Sequence, residues 1–321
     1  MKTAHDRRPS TEKRGIGSLS VSVVGIGCNN FGSRIDESRS SEVVNAALAA
    51  GINFFDTADM YGDGRSEQFL GRALGRRRAE VVIATKFGNE MEGSAGGARP
   101  EYVRRAADAS LRRLGTDYID LYQLHLPDPK VPIADTLGAL DELVKAGKVR
   151  EIGCSNFSVE QLREAEAVGT SRPGSAPFVS VQNEYSLLHR EPEEDGVLAE
   201  CERLGLAFLP FFPLKSGLLS GKYRKGQAIP SGTRVANFER YRSLLTEENL
   251  DRVERLIAYA SANGRTLLEL AVSWLLAHRQ VASVIAGATS ASQVQANASA
   301  AGWKLGETDL EEIDDMLRAA A

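Results

Sequence analysis

The sequence predicts an α/β protein built as a single-domain (β/α)8 barrel, the TIM barrel, and two observations predict it. Short apolar runs alternate eight times with amphipathic stretches from about residue 20 to the C-terminus, and no Pro/Ser-rich linker divides the series. Such alternation builds a parallel sheet with helical crossovers, and the number of units and the chain length suit a barrel. A doubly wound open sheet shares the alternation, because periodicity does not report closure.

The elements follow in order. VSVVGIG, residues 21 to 27, is the first strand, and SEVVNAALAAG (41 to 51) puts Val44, Ala47 and Leu48 on one helical face before a Gly stop. INFFDT (52 to 57) is the second strand, followed by a helix carrying Phe69, Leu70, Ala73 and Leu74. EVVIATK (80 to 86) is the third, β-branched and without polar alternation, as a strand buried on both faces would be. RPEYVRRAADASLRRLG (99 to 115) has Pro near its first helical position, a stripe of Val103, Ala107, Leu111 and Leu114, and a terminal Gly. YIDLYQLH (118 to 125) and VREIGCSN (149 to 156) are strands on either side of a helix striped by Ile133, Leu137, Leu140 and Val144. Ser158 with Gln161 forms a capping box for the next helix. FVSVQ (178 to 182), a helix around 196 to 205, AFLPFF (207 to 212), helical stretches between 247 and 279, and VASVIAG (281 to 287) complete the series. Thr308 and Glu311 suit a capping box for a last helix, and residues 1 to 14 read as a polar, flexible extension ahead of a barrel domain over 15 to 321.

Composition narrows the function. A net charge of −4 lacks the basic excess of a nucleic-acid binder. No stretch approaches the roughly 20 apolar residues of a membrane helix, and the polar start lacks a signal-peptide core, so a cytoplasmic protein is expected. Cys28, Cys154 and Cys201 are scattered, without CxxC or Cys/His ligand spacing, so no metal site is expected.

Barrel chemistry collects at the C-terminal ends of strands. Strand two ends in Asp56, with Tyr61 in the following loop; strand three ends in Lys86, strand four in His125, strand five in Ser155 and Asn156, and strand six in Gln182. Each has a bland reading: Asp56 as a helix cap, Lys86 reaching solvent, His125 as a hydrogen-bonded core residue. Their joint occurrence argues otherwise, because burying several uncompensated polar groups is destabilising. An Asp, a Tyr, a Lys and a His form a chemically sensible set. An ammonium beside a phenol favours the phenolate and lowers its pKa, the buried ammonium needs a counter-ion such as Asp56, and a neutral imidazole orients a carbonyl oxygen. Such a set protonates a carbonyl oxygen while a hydride arrives at carbon. Asp59, between the two motif residues, reads as a turn or solvent-facing side chain.

FDTADMYG, VIATKFG, YIDLYQLH, IGCSNF, VQNEYS, PLKSGLLSGKY and VIAGATSASQV resemble, in order, the motifs of the aldo-keto reductases, over nearly everything from Gly15 to Leu317. The resemblance implies the barrel fold, NADPH-dependent reduction of aldehydes or ketones, and a catalytic tetrad of Asp56, Tyr61, Lys86 and His125, with Tyr61 as general acid. It also implies that Ser155, Asn156 and Gln182 hold the nicotinamide carboxamide and that Phe211, where Tyr or Trp is commoner, stacks on the ring. Leu214, Ser216, Gly217 and Lys222 match the loop across the pyrophosphate. Gly287, Thr289, Ser290, Gln293 and Asn297 match the segment around the adenosine 2′-phosphate, and Arg234 resembles a basic residue reaching the same phosphate. Many members place Arg or Lys where this chain has hydroxyls and amides, so use of NADH is also open.

VVGIGCNNFG lacks the third Gly of a dinucleotide loop. By resemblance it ends strand one, where Cys28 and Asn29 either line the substrate pocket or serve as turn residues. Substrate selectivity is assigned to the loops 87 to 99, with its GSAGG run, and 213 to 245. Two other classes compete with a carbonyl reductase. One is an NADP(H)-binding regulatory or redox-sensing subunit of the same fold, which the intact tetrad disfavours. The other is a metal-dependent barrel enzyme, which lacks ligands because His125 is the only strand-end histidine.

Overall fold

A computed structural model describes residues 12–91 and 96–318. Eleven residues of the expected N-terminal extension, 1 to 11, and most of the GSAGG run therefore lie outside the described residues. Lys13–Ile16 (β1) and Leu19–Ser22 (β2) form an antiparallel hairpin. The remaining strands are Val24–Gly27 (β3), Phe54–Asp56 (β4), Val82–Phe87 (β5), Ile119–Leu124 (β6), Val149–Ser155 (β7), Phe178–Gln182 (β8), Ala207–Phe208 (β9) and Val284–Gly287 (β10). They make one sheet in the order β10-β3-β4-β5-β6-β7-β8-β9, parallel throughout. A parallel bridge from Phe208 to Val281 joins its two ends, with Phe208 N–H donating to Gln280 O at 2.7 Å and Ala282 N–H to Phe208 O at 3.0 Å. The sheet is therefore a closed (β/α)8 barrel, and the open doubly wound alternative is excluded.

The missing polar alternation has a direct cause: β3, β4, β5 and β6 are buried on both faces, and the other barrel strands nearly so. Phe54, Val82, Ala84, Leu121, Leu209 and Ile285 fill the barrel interior, while Phe55, Ile83, Tyr122, Leu124, Val181 and Phe208 pack outward against the helices. Ile16, Leu19 and Val21 of the hairpin join the interior cluster, and Ser18 N–H donates to Glu151 Oε1 near the start of β7. The hairpin thus plugs the N-terminal mouth.

Four expectations about elements change. Lys13 and Arg14 belong to β1, so the extension does not reach residue 14. The run 21 to 27 is broken at Val23, where the chain turns from the plug into the barrel wall. The strand expected over 207 to 212 is regular only at Ala207–Phe208, since Pro210 has no N–H to add to the ladder. The last helix starts at Glu307, which places Thr308 inside it; Asp309 Oδ2 instead accepts from Gly306 N–H at 2.8 Å. The Ser158–Gln161 capping box is present.

Candidate active site

Side chains alternate in and out along each strand, and the inward set at the C-terminal ends is polar. In β5 the inward positions run Val82, Ala84, Lys86; in β4 Asp56 follows Phe54 by two residues and points the same way. Lys86 is fully buried and its Nζ donates to Asp56 Oδ2 at 2.7 Å and Thr57 O at 3.0 Å. Tyr61 Oη lies 3.5 Å from the same nitrogen. The Tyr61 and His125 rings meet edge to face, 5.9 Å between centroids. The four residues of the expected tetrad, three at strand ends and Tyr61 in a loop, are therefore in one place.

The electrostatics separate them. Burial pulls Lys86 down, but Asp56 and Tyr61 beside it more than offset this and hold the amine above its usual range, so it is an ammonium. Burial also dominates at Tyr61: Lys86 pulls the phenol down, yet the net direction is up, opposite to the expected lowering. Desolvation first, then Lys86, push His125 down to about 3, so the imidazole is neutral. Its Nδ1 is buried without a protein partner.

The neighbouring strand ends are tied to this group. Gln182 Nε2 donates to Asp56 Oδ1 at 3.0 Å, a link no sequence pattern signals. Ser155 Oγ donates to Gln182 O at 2.7 Å, and Asn156 Nδ2 to His125 O at 3.0 Å from a residue in the left-handed region at φ 61°. Phe211 is half-buried beside them, its N–H donating to Asn183 O at 3.1 Å.

Around the rim, Ser216 and Gly217 form a left-handed bend after Leu214, and a Cβ on Gly217 would meet Lys222 Nζ at 2.9 Å. Arg234 donates to Asn30 Oδ1 at 3.1 Å, and Asn30 Nδ2 reaches Ala288 O at 3.4 Å, beside Gly287. Ser290 caps the helix Ala291–Ser299, and Gln293 Oε1 accepts from Thr289 N–H at 2.8 Å. Asn297 is buried with Nδ2 unpartnered.

Sequence reasoning missed Arg34. Burial, then Arg34 and Arg234, lower the Lys222 pKa, and Arg234 is lowered by burial and again by Arg34. Among the described residues no carboxylate pairs with any of the three. Crowded, unneutralised cations beside a helix N-terminus and an orphaned amide fit an anionic nucleotide.

Two further readings are corrected. Cys28 is fully buried, its thiol 3.7 Å from Ile26 O and pushed up by desolvation, so it offers nothing to a substrate; Asn29 remains partly exposed. Asp59 is 1 % exposed, not solvent-facing, because its N–H donates to Lys86 O at 3.0 Å and turns the loop inward.

Comparison with known proteins agrees with this architecture. The model of the aldo/keto reductase family matches residues 23–318. A probable voltage-gated potassium channel subunit beta of Arabidopsis thaliana is 35% identical over 296 residues, 89% of this chain and 89% of that protein. The aldo-keto reductase yakc, NADP(+), of Schizosaccharomyces pombe is 34% identical over 316 residues, 95% of this chain and 91% of that protein. The solved structure of the glycerol dehydrogenase AKR11B4 from Gluconobacter oxydans superposes with a TM-score of 0.84 at 30% identity, covering 97% of each chain. A closed barrel whose strand ends gather Asp56, Tyr61, Lys86 and His125, matched by the family over nearly its whole length, belongs to the aldo/keto reductases.

Proposed function

We propose that this chain reduces aldehyde or ketone carbonyls to alcohols with NADPH, and that Tyr61 is the general acid. One observation carries the reading: Lys86 Nζ sits 2.7 Å from Asp56 and 3.5 Å from Tyr61 Oη at the strand-end mouth of the barrel. A nicotinamide cofactor held at this mouth would supply the hydride for the carbonyl carbon. Tyr61 gives its proton to the carbonyl oxygen as charge builds there, and the Lys86 ammonium stabilises the phenolate left behind. Asp56 keeps Lys86 charged. Because the Tyr61 phenol is raised in the free protein, it keeps its proton until a carbonyl oxygen takes it. His125, neutral, orients that oxygen and does not compete as the acid.

Of the residues around the mouth, Ser155, Asn156 and Gln182 would hold the cofactor's carboxamide, Phe211 would offer its ring to the nicotinamide, and Leu214, Ser216, Gly217 and Lys222 would hold the diphosphate. Arg234, with Gly287, Thr289, Ser290, Gln293 and Asn297, would hold the adenosine 2′-phosphate, and Arg34 would add a third cation there. The fission-yeast relative, named for NADP(+), supports the phosphorylated cofactor; NADH use follows if the cations serve the diphosphate alone. A cytoplasmic location and a small carbonyl substrate accompany this reading.

The test is oxidation of NADPH and NADH across aromatic, aliphatic, sugar and dicarbonyl substrates, with fluorescence titration of cofactor binding. Tyr61→Phe is expected to cut turnover by about 10²–10⁴-fold with NADPH binding retained. Unchanged turnover would remove Tyr61 from the acid role. The plant relative named as a channel beta subunit supports a second reading, an NADP(H)-binding regulatory subunit. Tight NADPH binding without turnover on any substrate favours that one.

A further inference from the structure

We propose that Glu184 and Lys215 form a latch that holds the loop around Ser216 and Gly217 in its cofactor-clasping shape, so that opening this pair governs cofactor release. The proposal rests on the cofactor reading above and adds two positioning residues to it.

The loop is pinned at both ends. Downstream, Leu218, Leu219 and Tyr223 are buried in the core, and Ser220 Oγ donates to Gly217 O at 2.6 Å. Upstream, Phe211 N–H donates to Asn183 O at 3.1 Å and Tyr185 N–H to Phe211 O at 3.3 Å. Between these anchors the backbone is left-handed four times, at Phe212 (φ 48°), Lys215 (φ 40°), Ser216 (φ 55°) and Gly217 (φ 101°). Gly217 adopts this freely, but Lys215 and Ser216 do not, and such residues persist only where their surroundings over-determine them.

Lys215 has such surroundings. Its Nζ donates to Glu184 Oε1 at 2.6 Å and lies 3.3 Å from His189 Nδ1. The pair is sheltered, with side chains 15% and 24% exposed. Glu184 follows Gln182 by two residues, so the latch ties the loop to the end of β8, which also carries the tetrad's Gln182–Asp56 link. The bend it holds is the one that brings Lys222 Nζ over Gly217. Once Lys215 is released, Lys215 and Ser216 relax toward right-handed φ and carry Gly217 away from Lys222. A glycine at position 215 would hold the same bend unaided; a lysine makes the bend conditional on Glu184.

The experiment uses the full chain. Amide exchange of Lys215 and Gly217, whose N–H groups donate to Phe212 O and Leu214 O at 2.8 Å, is read in the cofactor-free protein, and NADPH dissociation by stopped-flow fluorescence. Glu184→Ala is expected to speed both, release by about fivefold, the scale of one sheltered ion pair, while single-turnover hydride transfer stays unchanged. Lys215→Gly, which removes pair and strain together, is expected to release NADPH at near the wild-type rate, and adding Glu184→Ala to it to change nothing. Wild-type exchange and release in Glu184→Ala overturn the latch and leave the cofactor reading intact, as does an equal Glu184→Ala effect in the Lys215→Gly background. Failure of the wild-type chain to bind NADPH overturns the cofactor reading, and with it the latch's role in release.

Discussion

Asp56 and Asp59 stand three residues apart, and their surroundings give them opposite parts. Asp56 has Lys86 on one oxygen and Gln182 on the other, so its charge is compensated. Asp59 receives only Met60 N–H on Oδ1, with Oδ2 buried and unpartnered. Burial first, then the neighbouring Glu67, push its pKa up to about 7. The folded chain therefore keeps a proton that the unfolded chain has lost from about pH 4 upward, and stability falls as pH rises from there to about 7. The cost above that window is on the order of 2–4 kcal/mol. Asp59→Asn is expected to raise the melting temperature at pH 8 and to leave it nearly unchanged at pH 4; a gain equal at both would show that the carboxyl is not the source. At the rim, Gln293→Glu sets a negative charge beside the position proposed for the 2′-phosphate. NADPH affinity is expected to fall about tenfold more than NADH affinity in fluorescence titration, and equal losses would count against that placement.

Helix packing depends on one glycine. Gly71, in the helix Arg65–Leu74, meets the end of the helix Pro100–Leu114 so closely that a Cβ would lie 2.2 Å from Leu114 O. Because the obstacle is backbone, Gly71→Ala must push the two helices apart, costing about 1–3 kcal/mol in urea denaturation. This contact was not legible in the sequence, where Gly71 looked like any helical residue between Leu70 and Arg72. What was legible follows from periodicity and burial together. Strands such as Val82–Phe87 announced themselves by apolar runs, and a charge ending such a run, Lys86 or Asp56, marked the site because nothing but a partner makes it tolerable there. Features set by side-chain company stayed hidden. Gln182 gripping Asp56, Arg34 joining Lys222 and Arg234, and Asp59 turning inward all depend on residues distant in the chain. The net direction at Tyr61 was hidden for a related reason, since the pattern shows the nearby Lys86 but not how completely water is excluded.

Across the whole molecule the barrel divides its labour along its axis. The C-terminal mouth holds Asp56, Tyr61, Lys86 and His125, while the N-terminal mouth is stopped by the β1–β2 hairpin. Closure of the sheet falls to the short seam between Phe208 and Val281, and the hairpin supports that seam through Arg14. Arg14 donates to Val281 O at 2.6 Å and to Leu276 O at 2.8 Å, so one guanidinium ties the plug to the seam strand and to the last turn of the helix Leu267–Ala277. These are charge-assisted bonds to backbone carbonyls, and at this partly exposed site the two together are worth about 2–4 kcal/mol. Arg14→Ala is therefore expected to destabilise the fold by about 2–4 kcal/mol in denaturant titration. Its kcat and NADPH affinity at a temperature where it remains folded should equal those of the parent, because no contact of Arg14 reaches the strand-end mouth. Lys86→Met is expected instead to lose turnover even under conditions where it remains folded. Removing the ammonium strips Tyr61 of its charge partner and leaves Asp56 with Gln182 alone, so turnover collapses, whereas the barrel keeps its plug and seam. A loss of turnover in Arg14→Ala matching that in Lys86→Met would mean that the two mouths are coupled through the barrel interior, against the separation argued from these contacts.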